Sequence, residues 1–169
     1  MGLPAKLKNF NFFQDGAGFL GEIEEVTIPK LAIKASEWRG GGMLGPIMID
    51  EGLEKLESDW TMGGLIVDAL RAFGITTHDG VGARFAGAYK DDGTGIVRAC
   101  EVSMRGRFQE IDWGNAKVGD STAHKHKFAV SYLRITIDGS EEVEIDLLAG
   151  VFIVGGIDRY ADIRAALGA

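Results

Sequence analysis

Alternation of apolar and charged residues is clearest near the C-terminal end of the chain. In residues 142–147, apolar side chains alternate with the acids Glu142, Glu144 and Asp146. This period of two predicts a β-strand with one packed face and one polar face. Residues 132–137 follow the same pattern, with Leu133, Ile135 and Ile137 opposite Tyr132, Arg134 and Thr136. The Asp138-Gly139 pair between the two runs predicts a tight antiparallel hairpin.

Other segments rich in β-branched and aromatic residues extend this interpretation to most of the chain. They are Phe19 to Leu31, Val81 to Tyr89, Ile96 to Ile111, Lys125 to Ile137 and Glu141 to Val154. Glycine accounts for 25 of 169 residues, and much of it lies in the pairs Asp15-Gly16, Asp79-Gly80, Asp92-Gly93 and Asp138-Gly139. Such pairs favour the positive φ angles of tight turns. The sequence therefore predicts a mainly β protein.

Two segments have helical spacing. Residues 65–73 place Leu65, Ala69 and Phe73 on one apolar stripe, with Gly74 as a stop, which predicts a helix buried on one side. Residues 158–167 begin with Asp158 as an N-cap and end before Gly168, which predicts a short terminal helix.

A glycine-rich region interrupts the β pattern and predicts a projecting arm at about residues 38–59. Its first residues are Trp38, Arg39, Gly40, Gly41, Gly42, Met43 and Leu44. Consecutive glycines beside exposed-type residues are typical of flexible loops and hairpins. Aromatic and methionine side chains are enriched in protein interfaces, so this arm is a candidate contact with a neighbouring subunit.

Composition narrows the classes of function. The chain has 169 residues, 46% of them hydrophobic, which suits one domain of residues 1–169 with its own core. Its apolar runs are too short to span a membrane, and the N-terminus has no secretory pattern. The formal net charge of −7 argues against a protein that grips nucleic acid by neutralising phosphates. A single cysteine, Cys100, excludes an internal disulfide and indicates synthesis in a cytoplasm.

Three sequence patterns suggest chemistry but favour structural interpretations. Gly16 to Gly21 matches a dinucleotide-binding glycine pattern, yet a strand-like segment stopped by Pro29 follows it instead of a helix. His124 and His126 could share a metal on one strand face, but His78 is the one other histidine, so a polar strand edge is the favoured interpretation. Adjacent acids such as Glu24 and Glu25 point to opposite faces of a strand and do not converge. No catalytic, cofactor or metal site is predicted.

Several segments, in order along nearly the whole chain, resemble the major tail tube proteins of P2-like contractile-tailed phages. They are residues 3–13, 26–31, 38–43, 84–89, 105–107 and 164–168. The resemblance implies an antiparallel β-sandwich or barrel with one or two short helices, shared with tubes of R-type pyocins and type VI secretion. It also implies a virion tail protein, assembled in the host cytoplasm, without enzymatic activity, cofactor or membrane.

The resemblance also implies how the subunits assemble. Hexameric rings stack into a tube, strands of all subunits join into one β-barrel, and DNA passes through the lumen without specific binding. The partners are further copies of the chain, the tail sheath protein, and the tail terminator and baseplate or initiator proteins. The arm at 38–59 would contact the neighbouring ring.

An acidic lumen would repel DNA phosphates and keep passage free of adhesion. The candidate lumen acids are Glu22, Glu24, Glu101, Glu142, Glu144 and Asp146. A slip of one residue in strand register inverts every face, so these acids are equally expected to face solvent or sheath.

Two alternatives stay open from the sequence. One is the tube of an R-type pyocin or a similar contractile injection system, with an empty or protein-carrying lumen. The other is a small acidic β-barrel enzyme or ligand-binding protein, which would remain monomeric at high concentration and bind a small molecule.

Overall fold

The computed structural model describes residues 2–169 as a mainly antiparallel β protein with two short helices. The strands are β1 (Lys6–Gln14), β2 (Ala17–Gly18), β3 (Ile23–Thr27), β4 (Ile33–Trp38), β5 (Ile47–Leu53), β6 (Leu56–Met62), β7 (Val81–Lys90), β8 (Val97–Asp112), β9 (His124–Ile137), β10 (Ser140–Asp146), β11 (Val151–Val154) and β12 (Ile157–Asp158). The helices are α1 (Val67–Arg71) and α2 (Ala161–Leu167). The predicted fold class is confirmed.

Ten strands form one sheet, and β4 and β5 form a separate two-stranded sheet. The main order is β12-β11-β10-β9-β8-β7-β1-β2, with β6 also paired to β9 and β3 paired to β6. The sheet has two halves that share its longest strands. The first half runs from β12 to β2 and contains the start of β8 and the end of β9, while the second half contains β3, β6 and the remaining parts of β8 and β9.

The two halves meet at a bulge between β8 and β9. Arg105 pairs with Tyr132 and Gly106 pairs with Val130, which leaves Ser131 without a partner on β8. The Ser131 hydroxyl lies 3.3 Å from the carbonyl oxygen of Arg105. Such bulges bend a sheet and increase its twist. Glycine is required at 106, since a Cβ there would lie 1.9 Å from the carbonyl oxygen of Ala129.

The core lies between the facing halves and is built around Trp60 of β6. Its ring centroid is 4.7 Å from that of Phe12 in β1 and 5.2 Å from that of Phe128 in β9. Phe108 adds an edge contact to Trp60 at 5.4 Å. Aromatic pairs at these distances contribute beyond their buried area, so this cluster fixes how the first half packs on the second.

The strand predictions hold best where alternation is regular. The structure confirms strands near 81–90, 97–112 and 124–137. The predicted strand from Glu141 to Val154 is two strands, because Asp146 accepts hydrogen bonds from the N–H groups of Leu148 and Ala149 and forms a turn. The predicted strand from Phe19 to Leu31 shortens to Ile23–Thr27.

Two of the four Asp-Gly pairs adopt the predicted positive φ angles. Asp15 and Gly16 have φ of 48° and 84°, and they join β1 to β2. Asp138 and Gly139 have φ of 50° and 80°, and they join β9 to β10 as predicted. In the pairs at 79–80 and 92–93, neither residue has a positive φ, so those two predictions are wrong.

The predicted helix at 65–73 is shorter than expected, and its stripe is wrong. Ala69 is buried, but Leu65 and Phe73 are exposed. Ile66 is the extended N-cap residue and makes no side-chain capping bond, and the helix begins at Val67. The terminal helix is confirmed, although Asp158 belongs to β12 instead of acting as the N-cap.

Candidate functional site

The hairpin of β4 and β5, residues 33–53, has no buried residue in either strand and is called the arm below. Its strands pair with each other and not with the ten-stranded sheet. Trp38 pairs with Ile47, and Ser36 pairs with Ile49, which places these four side chains on one face of the hairpin. Trp38 is 57% exposed and Ile47 53%. The arm thus presents apolar side chains to its surroundings.

The end of the arm, residues 38–48, is called the tip. Within it the N–H of Met43 donates to the carbonyl of Gly40 at 3.3 Å, and the N–H of Gly40 lies 3.0 Å from the Met43 sulfur. Gly42 has a φ of 83°, which the turn requires. Leu44 is fully exposed. The glycine-rich segment therefore forms a turn that carries an apolar side chain outward.

The bounds predicted for the arm, 38–59, differ from those observed. Strand β4 runs from Ile33 to Trp38, so the arm begins at Ile33. At the other end, residues 56–59 belong to β6, where Leu56 and Ser58 are buried. The Ser58 hydroxyl donates to the carbonyl of Thr27 at 2.8 Å. Every second side chain of β6 is buried, which shows that β6 belongs to the main sheet. The alternation of apolar and polar residues that predicts such a strand is visible in the sequence of residues 56–62.

The face of the first half that points away from the core is called the polar face. Arg84, Ser103, Arg134 and Glu144 lie across it in one row of paired residues. Ala86, Glu101, Thr136 and Glu141 form the adjacent row. Gly82, Arg105, Tyr132 and Asp146 form the third. An open cleft of about 640 Å³ lies over the first and third rows, and the three arginines line it.

Acids on the polar face are placed beside arginines. Glu101 lies 3.4 Å from the guanidinium of Arg84, and Glu141 lies 3.4 Å from that of Arg134. Arg84 also stacks over the ring of Phe13 at 4.1 Å. Of the six predicted lumen acids, Glu101, Glu144 and Asp146 share this face.

The other three predicted lumen acids lie elsewhere. Glu142 falls at a bulge between Glu141 and Val143 and has no partner on β9. Glu24 falls at a similar bulge in β3 and has no partner on β6. Glu22 precedes β3, in the second half. A bulge inserts one residue and ends the alternation from which a common face is inferred, so the six acids do not form one group.

Strand β1 has an unpaired outer edge. Strand β7 occupies its other side, and β2 pairs with Phe13 and Gln14 alone. Along residues 6–11, the outer edge pairs with no strand among residues 2–169. Unpaired edges are templates for strand addition. This strand was not predicted, although residues 6–14 contain three phenylalanines.

A second apolar surface surrounds α1. Leu65, Val67, Leu70 and Phe73 are exposed, and so is Leu20 on the adjacent loop. An open cleft of about 560 Å³ lies between residues 17–22 and residues 63–68. Leu65 and Phe73 of this surface were predicted to lie on a buried stripe.

The histidines and the cysteine considered for chemistry have the surroundings of residues that pack in the fold. His126 is 3% exposed and packs against Trp60, so the predicted polar strand edge is wrong. Its neighbour His124 stacks on Trp113. Burial raises the pKa of the Cys100 thiol, which disfavours the reactive thiolate. Within residues 2–169, no group of three or more His, Cys, Asp or Glu side chains is arranged to hold a metal.

The glycine pattern at 16–21 lies in the β1–β2 turn and the loop before β3, with no helix directly after it. A pyrophosphate site of the dinucleotide type needs that helix N-terminus. Across residues 2–169, no helix is long and apolar enough to cross a membrane.

Solved structures with a similar fold come from contractile injection systems. The sheath-tube complex of the extracellular contractile injection system PVC in its extended state contains a chain with a TM-score of 0.57 at 8% identity, covering 79% of this chain and 91% of that one. The anti-feeding prophage baseplate contains a chain with a TM-score of 0.54 at 13% identity, covering 80% of this chain and 97% of that one. At these identities the likeness establishes the fold.

Sequence relatives match over the full length. The tail tube protein of Escherichia phage P2 is 40% identical over 171 aligned residues, covering 99% of each chain. The major tail tube protein of Serratia phage KSP20 is 36% identical, covering 99% of this chain and 98% of the relative. The family model for phage tail tube protein FII matches residues 4–168. The chain therefore belongs to the phage tail tube protein FII family.

Proposed function

We propose that this chain is the structural subunit of the inner tube of a contractile phage tail. Hexameric rings stack into a tube, and DNA leaves the virion through the lumen. The observation that carries the proposal is the full-length match to the tail tube family, including 40% identity to the P2 protein. The subunit has no catalytic role, assembles in the host cytoplasm and functions in the virion tail.

Ring closure uses the free edge of β1. Because its outer edge over residues 6–11 lacks a partner strand within residues 2–169, a strand from the next copy can add there. Repetition around the ring makes the first halves of all copies into one continuous barrel. Closure removes the exposed edge, which would otherwise favour non-specific aggregation.

This arrangement determines which face lines the channel. In each copy one face of the first half packs on its own core, so the polar face is the one left to surround the lumen. Glu101, Glu144 and Asp146 then line the channel, together with Arg84, Arg105 and Arg134. Paired charges weaken the net field, so the wall is less negative than the acids alone would make it. DNA passes such a wall without specific binding.

The arm provides contacts between stacked rings, and the tip residues make them, among them the exposed Trp38 and Leu44 and the half-buried Met43. The arm is mobile in a free subunit and becomes ordered in the stack. The outer surface of the tube meets the sheath, and its ends meet the terminator and the baseplate or initiator. Structures with this fold come from sheath-tube, terminator and baseplate assemblies of injection systems, which supports these partners.

The test is assembly. Purified protein at rising concentration is followed by light scattering and negative-stain microscopy, alone and when co-produced with the sheath and baseplate proteins of its own particle. Rings or tubes are expected in at least one condition. A strict monomer at millimolar concentration, with no tubes in the sheath-containing lysate, would contradict the proposal. A pyocin-type particle is distinguished by sedimentation of tubes that lack a DNA-filled head.

A further inference from the structure

The cleft beside α1 combines apolar walls with an acidic rim. Phe19, Leu65 and Val67 line it, and the glycines at 18, 21, 63 and 64 add no side chains to its lining. Glu22 and Asp68 are the charged residues that line it. The carboxylate of Asp68 lies 3.9 Å from Arg71 and is mostly exposed, so it remains accessible to another cation.

The tip has the complementary character. Its apolar side chains include Trp38, Leu44 and Ile47, and its one charged residue is Arg39. Arg39 forms no ion pair with any residue of 2–169; its guanidinium lies 3.4 Å from the carbonyl oxygen of Leu44. An apolar knob with one cation thus matches an apolar cleft with two acids.

The arm leaves one end of the β3–β6 strand pair, and the cleft lies at the other end. In the β3–β6 pair, Thr27 lies opposite Asp59 at the end from which the arm leaves, and Ile23 lies opposite Met62 at the end next to the cleft. The N–H of Gly63 donates to the carbonyl of Glu22 at 2.8 Å and closes this second end. A strand of six or seven residues spans about 20 Å, so β4 and β6 have similar lengths.

We propose that the tip of one copy docks in the α1 cleft of a second copy in the next ring, with Arg39 against Glu22 and Asp68. The inference rests on the proposed stacking of rings and identifies the receptor surface on the same chain. Each copy donates one tip and offers one cleft. Such a head-to-tail contact does not close on itself, and it therefore propagates along a filament.

Charge reversal tests the pair. Arg39→Glu and Asp68→Arg should each reduce mean tube length about tenfold while rings remain, because each variant places like charges together in the contact. The double variant should restore tube length to within about twofold of the unmodified protein. Arg159→Glu reverses an exposed cation far along the chain, near α2, and should leave tube length unchanged.

Disulfide trapping provides a second measurement, in a Cys100→Ala background. A chain carrying both Leu44→Cys and Leu65→Cys should give a ladder of covalent multimers when tubes are oxidised, whereas a mixture of the two single variants should stop at dimers. Normal tubes from both charge-reversed variants, or tubes without a ladder, would overturn this docking and leave the tube function standing. Failure of the unmodified protein to assemble would instead overturn the proposed function.

Discussion

The indole of Trp60 stacks on the imidazole of His126, with ring centroids 6.2 Å apart and planes 9° from parallel. Phe108 meets the same imidazole edge-on at 5.7 Å, and the nearby His124 adds positive charge when protonated. Burial, with a smaller contribution from His124, lowers the pKa of His126 from 6.5 to about 4. The folded core thus holds this imidazole neutral.

The protein should therefore lose stability as pH falls from 6.5 towards 4. In this window the unfolded chain takes up a proton at position 126 that the folded chain does not. The resulting loss in the free energy of unfolding is about 3 kcal/mol in full. Urea unfolding at a series of pH values measures it. His126→Phe keeps a ring in the core and should flatten the pH dependence of the free energy of unfolding above pH 4. His124→Gln should retain most of this pH dependence. A His126→Phe profile parallel to that of the unmodified protein would show that another group is responsible.

Gly106→Ala should destabilise the subunit strongly. The added methyl would overlap the carbonyl oxygen of Ala129, so the bulge that joins the two halves must shift. Overpacking of this kind costs about 1–3 kcal/mol or more. Gly82→Ala is the matched control, because its methyl would meet nothing closer than the Asp15 carboxylate oxygen at 3.6 Å. Equal midpoints of thermal unfolding for the two variants would contradict the role assigned to Gly106.

The C-terminal helix should loosen when Arg164 is replaced by alanine. The Arg164 guanidinium donates to the carbonyl of Gly150 at 2.7 Å and forms an ion pair with Asp158. The hydrogen bond from Arg164 to the Asp158 carboxylate is the main cause that lowers the pKa of Asp158. Amide exchange in residues 161–167 should accelerate in Arg164→Ala. It should stay slow in Arg159→Ala, whose exposed side chain makes no such bond. Unchanged exchange in Arg164→Ala would mean that apolar packing alone holds α2.

Lysines on the polar face should slow DNA passage without preventing tube formation. Glu101→Lys with Glu144→Lys removes acids beside Arg84 and Arg134 and adds cations that can contact phosphates. DNA release from virions triggered in vitro should slow at low salt and recover at high salt, because phosphate contacts weaken with ionic strength. Glu110→Lys, in the second half, should release DNA normally. Normal release at low salt from intact lysine-lined tubes would show that charge on this face does not control passage.

The sequence predicted strand content well and strand faces poorly, for a physical reason. Leu133 and Ile135 alternate as expected because β9 is regular there. Glu142 and Glu24 fall at bulges, where one extra residue interrupts the alternation, and no composition rule locates such an insertion. The buried His126 is a tertiary effect, since its aromatic partner Trp60 is distant in sequence. The arm was recognisable from its glycines, but the cleft beside α1 depends on how residues 17–22 pack near 63–68.

The long strands β8 and β9 pass through both halves of the sheet without a break. If the halves were separate sheets, a mechanical load between them would be carried by side-chain contacts, which can slide. In this subunit the load is carried by the continuous backbone of two strands and by the row of hydrogen bonds between them. The bulge at Gly106 bends that row without dividing it. Sliding of one half past the other would require many of these bonds to break together, so the subunit responds to tension or torsion as a single elastic body.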